Sequence, residues 1–305
     1  MKILITGGTG LIGTALSKVL NRIGHDVSIL TRKPNDQLEV KTYYWNPDND
    51  EIDATAFEDL DCIIHLAGAN IAERRWTKKR KQEIYSSRVE SAQFLYRKIK
   101  ELKIPIKSFI SSSAIGWYGA ITSDDIYTEQ APCANDFLGK LSKQWELAAD
   151  EFADMGCVVS KVRTGIVLSS EGGALPKMTK PIIWSQGAPL GSGKQYMPWI
   201  HIDDLCAIYI HLVEGVLPAG VYNGVAPESV TNEDLTKILA QVLEKPLWMP
   251  NIPSWALYML LGKMSSLLLN GSRVSADKLC QNGFEFKYSE IRKAIASIID
   301  TDDDC

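Results

Sequence analysis

The sequence predicts an α/β protein, a doubly wound parallel sheet with a smaller C-terminal lobe. Three observations lead there. Short apolar runs alternate with longer stretches of helical period through the first half of the chain. The first of these runs closes on a glycine-rich turn that opens directly into a helical pattern. Past about residue 165 the alternation gives way to short segments punctuated by glycine and proline.

The expected strands are 3–6, 26–30, 62–66, 108–111 and 158–162, each a short apolar or β-branched run of buried-strand type. Between them, 11–22, 76–102 and 137–155 carry the helical period. Tyr43-Tyr44-Trp45 reads as a further strand followed by the turn chemistry of residues 46–50. In the second half, a helix follows Asp203, another covers 231–243 with Thr231 or Asn232 as its cap, and a third covers 254–269. The chain therefore divides into a nucleotide-binding domain over 1–165, whose core also receives later segments, and a substrate-side lobe over 166–305.

Composition bounds the function. At 305 residues and 45% hydrophobic, the chain can bury a full core without disulfides or metal. Its 33 Lys and Arg against 37 Asp and Glu give a charge of −4, which argues against a nucleic-acid binder working by bulk positive charge. The six cysteines are scattered with no C-x-x-C pair, the usage of a reducing compartment. No signal-peptide pattern stands before Ile3, and the apolar run 255–261 is too short to span a membrane. The expectation is a soluble cytoplasmic protein with no membrane partner. Histidines and cysteines show no ligand spacing, so no metal is expected. The acidic stretch 300–304 reads as a solvated tail.

Residues 6–13 read Thr6-Gly7-Gly8-Thr9-Gly10-Leu11-Ile12-Gly13, between the first strand and the first helix. Residues without Cβ let backbone N–H groups approach a pyrophosphate, and the helix adds its positive end. Gly7, Thr9, Gly10, Leu11, Ile12 and Gly13 are therefore candidate dinucleotide contacts. Neither this turn nor Gly191-Ser192-Gly193-Lys194 is a P-loop, because Gln195 stands where that motif holds a Mg²⁺-binding hydroxyl. At the end of the second strand an NAD site usually holds an acid for the ribose hydroxyls. This chain holds Thr31-Arg32-Lys33 instead, and a guanidinium suits a 2′-phosphate. NADP(H) is the expected cofactor.

With that opening, His65-Leu66-Ala67-Gly68 after a strand, Ser111-Ser112-Ser113 followed by Tyr118-Gly119, and Pro198-Trp199-Ile200-His201-Ile202-Asp203-Asp204-Leu205, the whole chain resembles an extended short-chain dehydrogenase/reductase. Arg75-Trp76, Ser87-Arg88-Val89, Trp145-Glu146 and the Gly-Phe at 283–284 resemble its atypical "epimerase family" branch, which has its own C-terminal extension. The resemblance implies a Rossmann fold, and it carries Thr31, Arg32, Leu66, Ala67, Gly68, Glu83, Arg88 and Arg163 as NADP contacts. It also exposes a departure. The superfamily's helix carries Tyr-x-x-x-Lys, in which the lysine lowers the tyrosine pKa from its usual value near 10. The matching residues here are Phe137 and Leu141, and Lys140 falls on another face of the helix.

Three groups remain as catalytic candidates. Ser113 keeps the position of a substrate-orienting hydroxyl, Tyr118 follows in a loop at the ligand edge, and His201 has a near-neutral ordinary pKa. Each also has a plain structural reading: a turn or cap, a packing ring, a loop anchor. Arg88 brings permanent charge toward cofactor phosphates or an anionic substrate, and Glu83 and Arg88 read alternatively as a surface ion pair. The basic run 74–81 reads as the solvated start of a helix beside a phosphate-bearing ligand. The leading expectation is an NADP(H)-dependent oxidoreductase or epimerase-like enzyme for a small polar substrate. The alternatives are a non-catalytic NADP(H)-binding sensor or regulator and a scaffold with a relic glycine turn.

Overall fold

The structure, a computed structural model, describes residues 1–35 and 37–300. The chain opens with β1 (Lys2–Thr6), α1 (Leu11–Arg22), β2 (Asp26–Thr31), β3 (Lys41–Asn46), a short β4 (Glu51–Ile52) and β5 (Cys62–His65). Then come α2 (Lys78–Tyr85), a π-helical turn (Ser86–Glu90), α3 (Ser91–Leu102), β6 (Ser108–Ala114), β7 (Ile126–Tyr127), α4 (Phe137–Asp150) and β8 (Val158–Thr164). The remainder holds β9 (Ile166–Leu168), α5 (Leu175–Ile183), β10 (Trp199–His201), α6 (Ile202–Val213), β11 (Val221–Gly224) and α7 (Asn232–Val242). It ends with α8 (Ser254–Leu261), α9 (Ser266–Leu269), β12 (Arg273–Val274), α10 (Asp277–Gln281) and α11 (Ile291–Asp300).

One eight-stranded sheet runs in the order β11-β8-β6-β5-β1-β2-β3-β4. Its neighbours are parallel except β3 and β4. Helices cover both faces, which is why the strands are apolar on both sides rather than alternating with polar residues. Ile3 and Ile5 face a core shared with Leu16 and Leu20 of α1 and Tyr209 of α6. Leu4, pointing the other way, meets the core of Phe94, Leu95 and Ile99 from α3. The doubly wound α/β class is as the sequence predicts. Strand order reverses between β1 and β5, and ligands of such sheets bind beyond the carboxyl ends at that point.

The later segment contributes to the first domain, since β11 extends the sheet beyond β8 and α6 packs beside α1 in the first core. What remains of it gathers around Trp199, Leu235 and Ile295, with the small β9–β10 pair at its base. Three expected helices break. The run 76–102 starts at Lys78, where the Thr77 side chain accepts from the Arg80 N–H, and the π turn interrupts it. The run 137–155 ends as α4 at Asp150 and tightens into a 3₁₀ turn. The run 254–269 breaks at Gly262, whose φ of 59° no helix continues. Thr231 caps α7 in a reciprocal capping box with Asp234.

Of the acidic stretch, Asp300 closes α11, while residues 301–305 lie outside the described residues. Cys62, Cys133, Cys157, Cys206 and Cys280 are free thiols. Among the described residues no helix is long and apolar enough to cross a membrane. Nor does any group of three or more His, Cys, Asp and Glu side chains there suit a metal ion.

Candidate active site

β1 hands the chain to α1 through the glycine turn. Gly10 is the helix N-cap, with no side-chain hydrogen bond to the first turn and no acid within it. The N–H groups opening α1 are thus left for an outside acceptor, which the helix end favours as an anion. A Cβ at Gly13 would stand 2.4 Å from the Gly7 carbonyl oxygen, so any side chain there would push the helix off the turn. Thr6 ties this turn to the end of β5: its Oγ1 accepts from the Ala67 N–H at 3.1 Å and pairs with His65 Nδ1 at 2.9 Å. Leu66 and Ala67 therefore lie against the turn, with Thr9 and Gly10 exposed.

His65 is wholly buried, and burial pushes its pKa down to about 4; His201 is pushed down to about 4 for the same reason. Both rings fold neutral, while the unfolded chain protonates them near 6.5. Between these values the unfolded state binds more protons, so stability falls as pH drops from about 6.5 to about 4. Thermal unfolding at pH 7 and pH 5 checks this. The His65→Gln variant should show a shallower drop.

Thr31 closes β2, and its Oγ1 accepts from the Lys33 N–H at 3.2 Å. Arg32 projects beyond the strand, exposed, and no carboxylate pairs with it among the described residues. Arg88 is different, because the π turn carries it inward. Such a turn adds a residue to the helical circuit and re-aims the side chain. Its Nη1 donates to the carbonyls of Ala69 at 3.0 Å and Ile84 at 3.2 Å, and its Cζ lies 5.2 Å from the Trp145 ring centroid. A Cβ on Gly68 would touch that Cζ at 2.9 Å, so the guanidinium lies close against the β5 loop and would shift for any larger residue there. No carboxylate neutralises Arg88 among the described residues, and burial, with Arg80 nearby, lowers its pKa to about 10. The Trp145 Nε1–H beside it is buried with no acceptor among the described residues. A half-buried cation with no carboxylate, next to an orphaned donor, suits an anionic ligand.

The basic run is not a solvated helix start throughout. Arg80 is 3% exposed and holds Glu73 at 2.7 Å and Glu83 at 2.8 Å. The Glu83 carboxylate, which Arg74 also approaches at 3.5 Å, is engaged within this cluster, and the Arg80 hydrogen bond lowers its pKa. Arg75 reaches the C-terminal lobe, donating to the carbonyls of Leu260 and Met259 at the end of α8.

The catalytic candidates and Arg163 meet in a way the sequence does not announce. The Arg163 guanidinium grips Glu146 with two bonds, Nε–Oε1 at 2.8 Å and Nη2–Oε2 at 3.0 Å. Ser113 Oγ donates to the same carboxylate at 2.7 Å. Tyr118 donates its hydroxyl to Asn223 Oδ1 at 2.6 Å and accepts from Arg163 Nη1 at 3.1 Å. The Trp117 ring stacks on the guanidinium at 3.8 Å. Ser113, Tyr118, Glu146 and Arg163 are all 5% exposed or less.

This geometry gives four of the expected site residues a structural role. The hydroxyl protons of Ser113 and Tyr118 are committed inside the protein, and burial pushes the Tyr118 pKa up, away from that of a useful proton donor. The Arg163 side chain is an internal ion pair with no free face for cofactor phosphate. His201 caps α6, its Nδ1 accepting from the Asp203 N–H at 3.0 Å while the ring packs on Tyr288. Buried and neutral there, it holds a loop.

Glu146 and Asn223 complete the constellation without having been singled out as site residues. For Glu146 a signal was present. With Leu138, Ser142 and Ala149 it falls on the buried stripe of α4, where a carboxylate needs a partner.

A helix end left open for an anion, at the reversal point of a parallel sheet, is the architecture of the dinucleotide-binding class. Within that class the chain belongs to the NAD dependent epimerase/dehydratase family, which it matches over residues 3–223. Residues 252–298 match a separate domain of unknown function, DUF1731. The human epimerase family protein SDR39U1 is 34% identical over 304 residues, covering 98% of this chain and all of that one. Its crystal structure, solved with NADPH, superposes with a TM-score of 0.86 over 98% of this chain and 99% of that chain. An epimerase family protein of Staphylococcus saprophyticus is 35% identical, over 97% of this chain and 98% of that protein. A nucleoside-diphosphate sugar epimerase from Corynebacterium glutamicum superposes with a TM-score of 0.79 at 32% identity; the match covers 98% of this chain and 58% of that one.

Proposed function

We propose that the protein binds NADP(H) across the carboxyl edge of the sheet and acts as an oxidoreductase or epimerase-like enzyme on a small polar substrate. The observation that carries this is Arg88, half-buried against the β5 loop with no carboxylate to neutralise it among the described residues. The human relative solved with NADPH supports the choice of cofactor. The α1 N-terminus would receive the pyrophosphate, Arg32 the 2′-phosphate, and Arg88 a further anionic or ribose oxygen. When bound, the nicotinamide supplies hydride transfer. The chain's own task is then to hold the ligand, exclude water and keep charge balanced at Arg88.

Phe137 and Leu141 stand where the resemblance places the proton-transferring tyrosine and lysine. Lys140 does not substitute, being exposed while Leu141 is buried. With Ser113, Tyr118 and His201 all committed internally, a second reading has specific support: a non-catalytic NADP(H) sensor.

Calorimetric titration of nucleotide-free protein tests the cofactor reading. NADPH should bind far more tightly than NADH, and Arg32→Ala should cost NADPH roughly tenfold or more while leaving NADH within about twofold. Equal losses, or none, would remove Arg32 from the 2′-phosphate. Turnover of NADPH with a panel of carbonyl compounds and sugar nucleotides separates enzyme from sensor.

A further inference from the structure

The helix pair that holds Arg88 carries a second cation, Lys81, that has no carboxylate partner among the described residues. α2 and α4 follow parallel strands β5 and β6, so both begin at the carboxyl edge and run back along the sheet. Phe137, Leu141 and Trp145, spaced by four, share one face of α4. Across from that face, Arg88 lies over Trp145, and Lys81 Nζ lies 4.2 Å from the Phe137 ring centroid and 5.8 Å from that of Trp76. The two cation–ring contacts form successive rungs. Lys81 is the outer one, seven residues or about 10 Å nearer the helix starts than Arg88.

The Lys81 ammonium has no hydrogen bond and no ion pair among the described residues. The carboxylates that might have taken it are occupied, since Glu73 and Glu83 are both held by Arg80. Two π faces give a half-buried ammonium a weak site, worth roughly 0.5–2 kcal/mol, and leave its N–H donors without a protein acceptor among the described residues. An oxyanion would satisfy them. The offset of about 10 Å from Arg88, toward the start of the helix, is the length of a small molecule.

We propose that Lys81, over the Phe137 ring, is the anion-binding residue of the substrate subsite, taking a carboxylate or phosphate on a small carbonyl or hydroxyl compound. This rests on the NADP(H) reading for what lies beneath it. The test uses full-length protein, with and without saturating NADPH, titrated separately with malonate and inorganic phosphate. The indole N–H signal of Trp76, identified by its loss in Trp76→Phe, reports binding by NMR; calorimetry gives the affinity.

Saturable binding of at least one anion is expected, weakened about tenfold or more in Lys81→Met and restored to within about threefold in Lys81→Arg. NADPH affinity of Lys81→Met should stay within about twofold of the parent. A malonate response alone assigns a carboxylate substrate, and a phosphate response alone a phosphorylated one. No saturable binding of either anion, or equal binding by Lys81→Met, overturns the subsite while leaving the cofactor site intact. Conversely, Lys81-dependent anion binding in a protein that takes no NADPH would keep the subsite and remove the cofactor reading.

Discussion

Glu146→Ala should destabilise the folded protein by about 3–5 kcal/mol, because it strands a buried arginine. Arg163 is 2% exposed and, among the described residues, has its only carboxylate in Glu146, which also accepts from Ser113. The contacts left to it, the Tyr118 hydroxyl, the Glu129 carbonyl and the Trp117 ring, offer no negative charge. Desolvation that the pair offsets would then stand uncompensated, and Ser113 would lose its acceptor. Urea unfolding should show a lower midpoint. Glu146→Leu combined with Arg163→Met should recover most of the loss, since removing both charges leaves an apolar site of similar volume. A single variant as stable as the parent would mean that water reaches the guanidinium. The consequence for chemistry is direct: Ser113 and Tyr118 are parts of this buried network, so their loss should register in stability before activity.

Arg88→Met should act with the opposite sign. Without ligand, the replacement removes an unneutralised charge from beside Trp145 and keeps most of the side-chain volume, so the apoprotein should be at least as stable. NADPH affinity should fall roughly 10- to 100-fold, the weight of a charge-assisted contact of about 1.5–3 kcal/mol. Thermal shifts with and without NADPH would read both effects from one preparation, because ligand stabilisation scales with the logarithm of affinity. A destabilised apoprotein with unchanged affinity would make Arg88 a structural tie of the Ala69 and Ile84 carbonyls and nothing more.

The two variants bear on how far the sequence can be read. The opening β1, turn and α1 were legible because every signal there is local: an apolar run, a set of glycines, then an amphipathic period, all within 22 residues. β2 was legible for the same reason, and so was the absence of an acid at its end. The π turn was not. A hydrophobic period of 3.6 marks residues 76–102 as helix but has no place for one extra residue, and that residue determines where Arg88 lies.

Local pattern was enough for the doubly wound class, the glycine turn, the basic residue past β2, and the phenylalanine and leucine on α4. Which polar groups pair with one another emerged only on folding. Ser113, Tyr118, Glu146, Arg163 and Asn223 come from segments up to 110 residues apart, and only folding brings them into one hydrogen-bonded cluster. The physical reason is desolvation. A charge or hydroxyl entering the interior must find its partner there, and that partner is chosen by packing between distant elements, beyond the reach of local propensity. Arg163 found a carboxylate; Arg88 and Lys81 found aromatic rings and, among the described residues, no carboxylate.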